Sequence, residues 1–150
     1  MPTIAYSITI NGRKIGPNEP VYIIAEMSAN HDQDFDKAVQ IIETMKDCGA
    51  DAVKIQTYTA DTMTIDCDNE YFLIGGEMLW AGRNLYDLYK EAYTPWDWQP
   101  KLKKIANDLE MDFFSTPYDD TSVEFLKEMD IPVYKIASFE VNDIPLIKKI

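Results

Sequence analysis

Three charged residues sit inside stretches that are otherwise apolar. They are Glu26 in Ile23-Ile24-Ala25-Glu26, Lys54 in Ala52-Val53-Lys54-Ile55-Gln56 and Lys135 in Pro132-Val133-Tyr134-Lys135-Ile136-Ala137. Each stretch has the length and composition of a short buried strand. Side chains alternate along a strand, so Lys54 and Gln56 share one face, opposite Val53 and Ile55. Lys135 shares a face with Val133 and Ala137, and Glu26 shares one with Ile24. Burying an unpaired ammonium or carboxylate is costly, so such residues persist when they are paired or when they bind something. Two lysines and a glutamate aimed at one axis suit an anionic ligand that carries hydroxyls. They equally suit a structural Glu26–Lys54 ion pair with Lys135 reaching solvent, and position alone leaves the two readings even.

Further polar residues mark the strand ends. Ser115, Thr116 and Ser138 place small hydroxyls beside the free amides of helix starts, where phosphate or carboxylate oxygens are well held. Taken alone, the same residues read more simply as helix caps. His31, the chain's single histidine, follows Asn30 just after the first of these strands. One histidine does not make a two-histidine metal site, but an acid–base or ligand-contact role fits its position. Tyr86, Tyr89, Tyr93, Trp96 and Trp98 form either a sugar-stacking wall or, more simply, packing. Cys48 reads as a buried helix residue and Cys67 as a loop residue, neither with a base to activate it. Asp119-Asp120 reads as a pair of charges at a helix N-terminus rather than a catalytic dyad.

The elements that must position these groups follow one order. Ser7–Ile15 alternates around Asn11-Gly12, a pair that tolerates two positive φ angles and predicts a hairpin. Val21–Glu26 is the first buried strand. Ala38, Ile41, Ile42, Met45 and Cys48 recur at helical spacing, with Asp34 and Asp36 at the positive end and Gly49 as the stop. Ala52–Gln56 is the second strand, and Thr57–Tyr93 a long excursion with a helix over Leu85–Ala92. Thr94-Pro95 predicts a helix start with Thr94 as cap and Trp98, Leu102, Ile105, Ala106 and Leu109 as its buried stripe. Met111–Thr116 is the third strand, Val123–Met129 a helix face, and Pro132–Ala137 the fourth strand. Asp143 with Pro145 opens a last helix.

Strands alternating with helices imply parallel βαβ units. An open dinucleotide-binding sheet would place glycines after its first strand. Met27-Ser28-Ala29-Asn30-His31 has none, so an α/β barrel gains ground. A full (β/α)8 TIM barrel takes about 250 residues, and 150 residues hold about four of its units, preceded by the β-hairpin. There are 14 Lys and Arg against 26 Asp and Glu, a net charge of −12, which disfavours nucleic acid or an anionic membrane as partner. The N-terminus does not read as a secretory signal, and two cysteines make no disulfide scaffold, so a cytoplasmic setting is expected.

The strand ends, taken together, resemble a known family. Ile24-Ala25-Glu26-Met27-Ser28-Ala29-Asn30-His31, Gly49-Ala50-Asp51-Ala52-Val53-Lys54-Ile55-Gln56-Thr57, Phe114-Ser115-Thr116-Pro117-Tyr118-Asp119 and Tyr134-Lys135-Ile136-Ala137-Ser138-Phe139-Glu140 occur in that order, as in the sialic acid synthase family. The match runs over nearly the whole chain. Gln56–Thr64, Gly82–Tyr89 and Glu91–Trp96 look most like the pseudaminic acid synthase branch. The resemblance implies the N-terminal half of a (β/α)8 TIM barrel, with the hairpin closing its bottom. It implies condensation of phosphoenolpyruvate with an amino sugar to give a nonulosonic acid.

By matching motif positions, Lys54, Thr116, Lys135 and Ser138, with Ser115 beside them, are implied phosphoenolpyruvate contacts. Glu26 and Glu140 are implied contacts to the acceptor sugar, with Gln56, Asn30 and His31 on the same rim. Glu26, Lys54 and Lys135 are the implied catalytic set. In the family a divalent metal, Mg2+ or Mn2+, is held by histidines of the second half-barrel, outside this chain, and an antifreeze-like domain and a homodimer complete the site. The 150 residues alone are therefore expected to be inactive, with exposed sheet edges that favour self-association.

Two other functions fit the residues. Lys54 or Lys135 on a barrel strand suits a Schiff-base aldolase, with each lysine lowering the other's proton affinity. A half-barrel also suits a non-catalytic binding module.

Overall fold

A computed structural model describes residues 6–76 and 81–150. Part of the N-terminus read for a secretory signal, and residues 77–80 of the excursion, lie outside the described residues.

Asn11 (φ 45°) and Gly12 (φ 81°) turn the antiparallel hairpin of β1 (Ile8–Ile10) and β2 (Arg13–Ile15). The parallel core is β3 (Ile24–Glu26), β4 (Ala52–Thr57) and β5 (Asp112–Pro117), in that spatial order. α1 (Phe35–Asp47) links β3 to β4, and α4 (Gln99–Asp108) links β4 to β5. The excursion between β4 and α4 contains two short helices, α2 (Ala60–Met63) and α3 (Leu85–Ala92). α5 (Asp120–Glu128) follows β5, and α6 (Ile144–Lys149) ends the chain. The result is the α/β arrangement of a half-barrel with a hairpin in front.

The hydrophobic core lies between the sheet and the helices. Val53, Ile55 and Phe113 are fully buried there with Ala38 and Ile42 of α1, Leu102 and Ala106 of α4 and Leu126 of α5. The hairpin is pinned to the sheet's N-terminal edge. Arg13 forms an ion pair with Asp51, and Asn11 Nδ2 and Tyr22 OH each donate to Asp112 at 2.5 Å.

Helix ends obey capping physics. Asp34, Asn84, Asp119 and Asp143 each accept from backbone amides of the turn they open. Asp119 takes the amides of Thr121 and Ser122, while Ser122 Oγ accepts from the Asp119 amide. Asp119 is thus a cap, as expected for the Asp119-Asp120 pair. Asp119→Ala is expected to cost about 1 kcal/mol of stability. Urea titration of the variant checks it; an unchanged midpoint would show that the reciprocal cap is dispensable.

Four expectations are corrected. The first core strand is only Ile24–Glu26: the Asp51 carboxylate takes the Ile23 amide and Arg13 Nη2 donates to Val21 O, while the Ile23 carbonyl still accepts from the Ala52 amide at the start of β4. Thr94 is not a helix cap. A 3-10 turn over Trp96–Trp98 precedes α4, with Pro95 before it, and Thr94 is buried. Pro132–Ala137 is not a full strand. Pro132 has no amide to donate, and the segment touches β5 through the Ser115–Tyr134 bridge and one bond from Lys135 N to Ser115 O. Cys48 is exposed, since it caps α1 at the surface instead of facing the core.

Candidate active site

The register of β3, β4 and β5 builds the axial face. Glu26 pairs with Lys54, Lys54 with Phe114, and Gln56 with Thr116. Their side chains therefore rise on the side opposite Val53, Ile55 and Phe113. The Glu26 carboxylate and the Lys54 ammonium form an ion pair. Lys135, from the segment bridged to β5, lies close enough for its charge to act on Lys54. Burial, then that neighbouring charge, pushes the Lys54 ammonium down to about 8; the Glu26 carboxylate works in the opposite direction. Among the described residues the Lys135 ammonium has no ion-pair partner. Both halves of the sequence reading are therefore present: a structural pair, and beside it an uncompensated cation.

A cleft of about 300 Å³ opens at this end of the sheet, lined by Gln56, Tyr58, Met63, Tyr89, Tyr118, Lys135, Ala137, Ser138 and Phe139. Gln56 Nε2 donates to the Tyr118 hydroxyl at 3.0 Å. The Tyr58 ring meets the Tyr89 and Tyr118 rings edge-on, at 5.6 and 5.5 Å between centroids. Burial, then the Glu140 charge, raises the Tyr118 phenol, which stays protonated.

Two polar atoms at this end of the sheet are buried without a hydrogen-bond partner, Thr116 Oγ1 and Glu140 Oε2. A buried hydroxyl left unsatisfied costs about 1–3 kcal/mol, so each is an orphan that a bound polar ligand would satisfy. Thr116→Val keeps the shape and removes the orphan. It is expected to raise stability by about 1 kcal/mol while weakening ligand binding at the axial face. Denaturation and ligand titration of one variant check both signs; lost stability with unchanged binding would mean that the hydroxyl serves the fold.

Not every expected residue reaches the cleft. Ser115 lies on the opposite face of β5 from Thr116. Its Oγ is 2.6 Å from Thr57 Oγ1 and 3.2 Å from Ile55 O, in a buried network that Thr57 extends to Gln99 Oε1 at 2.8 Å. Strand alternation sends it to the helix layer, so its hydroxyl is structural. His31 is also fully buried behind the sheet. Its Nδ1 accepts from the Gln33 amide at 3.1 Å, so Nε2 carries the proton and donates to Thr94 Oγ1 at 3.2 Å. Trp98 stands edge-on at 5.6 Å. Burial lowers the affinity of His31 for a second proton. Asn30 is tied to its own turn, donating to Met27 O at 2.9 Å.

Of the five aromatics considered from sequence, only Tyr89 lines the cleft. Trp98 packs on Phe35 and Trp96 on Phe125, while Tyr86 donates to Asp61 at 2.7 Å. Tyr58 and Tyr118 were not anticipated. A usable signal existed, since each stands two positions beyond an axial residue, Gln56 and Thr116.

The described residues do not fit a metal ion. No three His, Cys, Asp or Glu side chains among them converge, the histidine is consumed behind the sheet, and Glu26 is paired with Lys54. What these residues offer instead is anion binding by ammonium and hydroxyl groups. Among the described residues, no helix is long and apolar enough to cross a membrane.

Comparison with known proteins agrees with this geometry. Residues 41–150 match the model of the NeuB family. The chain is 44% identical over 131 residues to a pseudaminic acid synthase of Helicobacter pylori, covering 87% of this chain and 38% of that protein. It is 47% identical over 126 residues to a pseudaminic acid synthase of Campylobacter jejuni, covering 84% and 36%. In structure it resembles an N-acetylneuraminic acid synthetase of Leptospira borgpetersenii crystallised with citrate, with a TM-score of 0.80 and 30% identity over 97% of this chain and 46% of that one. The chain thus spans less than two fifths of the curated relatives it matches. With the family model covering most of its length, and relatives at 44–47% identity, the chain belongs to the NeuB family.

Proposed function

We propose that these residues form the phosphoenolpyruvate-binding part, and part of the acceptor site, of a pseudaminic acid synthase. The reaction joins phosphoenolpyruvate to a 2,4-diacetamido-2,4,6-trideoxy hexose, giving a nonulosonic acid and phosphate. The observation that carries this reading is the uncompensated Lys135 ammonium beside the Lys54–Glu26 pair, with the orphaned Thr116 hydroxyl at the same end of the sheet. Phosphoenolpyruvate brings a carboxylate and a phosphate. Lys135 and Lys54 supply two positive charges, and Thr116 with Ser138 supplies hydroxyls. Lys54 on β4, and Lys135 on the segment bonded to β5 through the Lys135 amide, hold the enol at fixed orientation.

In the reaction, C3 of phosphoenolpyruvate attacks the aldehyde carbon of the open-chain sugar, and a C–C bond forms. Water adds at C2, and the C2–oxygen bond to phosphate breaks. The lysines stabilise the anionic groups throughout. Glu26, already turned toward Lys54, and Glu140, with one bare oxygen, accept hydrogen bonds from sugar hydroxyls.

The test is phosphate release by the product of the complete reading frame that contains residues 1–150. Release that requires both phosphoenolpyruvate and the diacetamido sugar supports the reading. Equal release with N-acetylmannosamine would point instead to an N-acetylneuraminate synthase, and turnover only with the legionaminic precursor to a legionaminic acid synthase. The 150-residue polypeptide alone is expected to release negligible phosphate.

One observation favours a second reading. Lys54, with its ammonium near 8 and a second cation beside it, is a workable Schiff-base nucleophile. Borohydride reduction in the presence of a 2-keto acid would trap that adduct; a synthase leaves Lys54 unmodified.

A further inference from the structure

One wall of the cleft is held by a residue that stands outside it. Tyr89 reaches the cleft from α3, which belongs to the excursion and not to the frame of strands and linking helices. Among the described residues, the hydrogen bonds and ion pairs of α3 side chains stay inside the excursion. Tyr86 OH donates to Asp61 at 2.7 Å, and Glu91 pairs with Arg83. The bonds that leave the excursion come from the turn after β3. Gln33 Nε2 donates to Glu91 O at 2.8 Å and to Tyr93 O at 2.6 Å. These carbonyls lie at the C-terminal end of α3, where a helix leaves its acceptors unpaired. A side-chain amide nitrogen carries two hydrogens, one for each.

The turn that aims Gln33 is strained. Asp32 (φ 49°) and Gln33 (φ 57°) are consecutive left-handed residues, and neither is glycine. Such a pair persists only where its surroundings fix it. Here the Gln33 amide donates to His31 Nδ1, and the Asp34 amide donates to His31 O at 2.9 Å. His31 also holds Thr94 in the core, so the point where the chain leaves the excursion is fixed without Gln33. What the Gln33 side chain adds is a hold on α3 itself. Water could satisfy the same two carbonyls, but it would not fix where they stand.

We propose that Gln33 is a positioning residue: its carboxamide clasps the C-terminal end of α3 to the turn after β3, and so sets the place of Tyr89, with the Tyr58 ring edge-on against it, in the cleft wall. The anion-binding groups do not depend on this clasp. Lys54 and Thr116 stand on β4 and β5, and Lys135 on the segment bonded to β5. The clasp therefore bears on the acceptor and not on phosphoenolpyruvate. Its effect on the acceptor rests on the synthase reading; its hold on α3 does not.

The experiment uses the complete enzyme and two variants. Gln33→Gly removes the side chain and suits a φ of 57°, so the turn and the fold are kept. Gln33→Glu keeps the shape and puts an oxygen that repels both carbonyls where the two N–H donors stood. Native-state amide hydrogen exchange reads the clasp directly. In both variants the α3 amides are expected to exchange about three- to tenfold faster, with those of α1 and α4 unchanged. Steady-state kinetics read the consequence. KM for the diacetamido sugar should rise by a similar factor of about three to ten, while KM for phosphoenolpyruvate stays at its wild-type value. Wild-type exchange of α3 in both variants overturns the proposal. Faster exchange in α1 and α4 as well overturns it too, since Gln33 then serves the whole fold. Faster exchange of α3 alone with an unchanged acceptor KM overturns the positioning role and leaves a helix cap. If the wild-type enzyme condenses no sugar with phosphoenolpyruvate, the synthase reading has failed and the effect on the acceptor falls with it, while the exchange result still decides the clasp.

Discussion

Replacing Lys54 by methionine is expected to lower kcat/KM for phosphoenolpyruvate by about 10²–10³-fold, the range seen when one preorganised charge-stabilising group is removed from a site. Methionine keeps the length and loses the charge. Lys54 stands on β4 with a buried stem, so no solvent molecule takes over its place without rearrangement. Its partner Glu26 is then left as an unbalanced carboxylate facing the phosphate side, which adds to the loss. A pH dependence follows from the same geometry. The ammonium of the free enzyme titrates near 8, and only the protonated form holds an anion. The ratio kcat/KM for phosphoenolpyruvate should therefore fall as pH rises through about 8, and the Lys54→Met enzyme should lose that limb. A profile flat through pH 9 in the wild type would place Lys54 outside the anion site.

His31→Ala is expected to do the opposite, costing about 3 kcal/mol of stability with kcat/KM nearly unchanged in whatever fraction stays folded. The imidazole fills core space against Trp98 and satisfies both the Gln33 amide and the Thr94 hydroxyl. Alanine leaves a cavity and two orphaned groups. The sign of the pH effect is fixed by burial, which lowers the folded-state proton affinity of His31 below its ordinary 6.5. Below that value the unfolded chain binds a proton that the native imidazole refuses. Stability from this residue is therefore complete above about pH 6.5 and drains away as pH falls. Denaturant titrations at several pH values should show that slope in the wild type and lose it in His31→Ala. A large fall in kcat/KM with little change in stability would return His31 to the site.

The contrast between these residues explains how much was legible beforehand. Strand alternation put Lys54 and Gln56 on one face of the second strand, opposite Val53 and Ile55, and the register of β4 has them there, because a polar side chain among apolar neighbours on a parallel strand has only one other face to occupy. The hairpin followed from Asn11-Gly12, and α3 from its Leu85–Ala92 pattern. Ser115 was misplaced although the same alternation puts it opposite Thr116; its chemistry outweighed its parity. His31 sits in a loop, where no periodicity fixes direction, and only the Thr94 and Gln33 contacts, distant in sequence or formed by the turn itself, reveal it as core. The fourth strand failed because strand identity depends on neighbours, and the Tyr134 segment pairs with β5 through a single bridge. Tyr118 was visible as a residue but not as part of a pair, since its partner Gln56 is 62 positions away.

The measurement that bears most directly on the anion site is calorimetric titration of phosphoenolpyruvate into the complete enzyme and into its Lys135→Met variant. Among the described residues Lys135 has no ion-pair partner, so its removal leaves the Lys54–Glu26 pair standing and the fold undisturbed. The expected result is clear binding by the wild type, weakening as salt is added, and a loss of at least tenfold in affinity in the variant. Equal affinity in the two proteins would show that the uncompensated ammonium at the heart of the cleft serves something other than phosphoenolpyruvate.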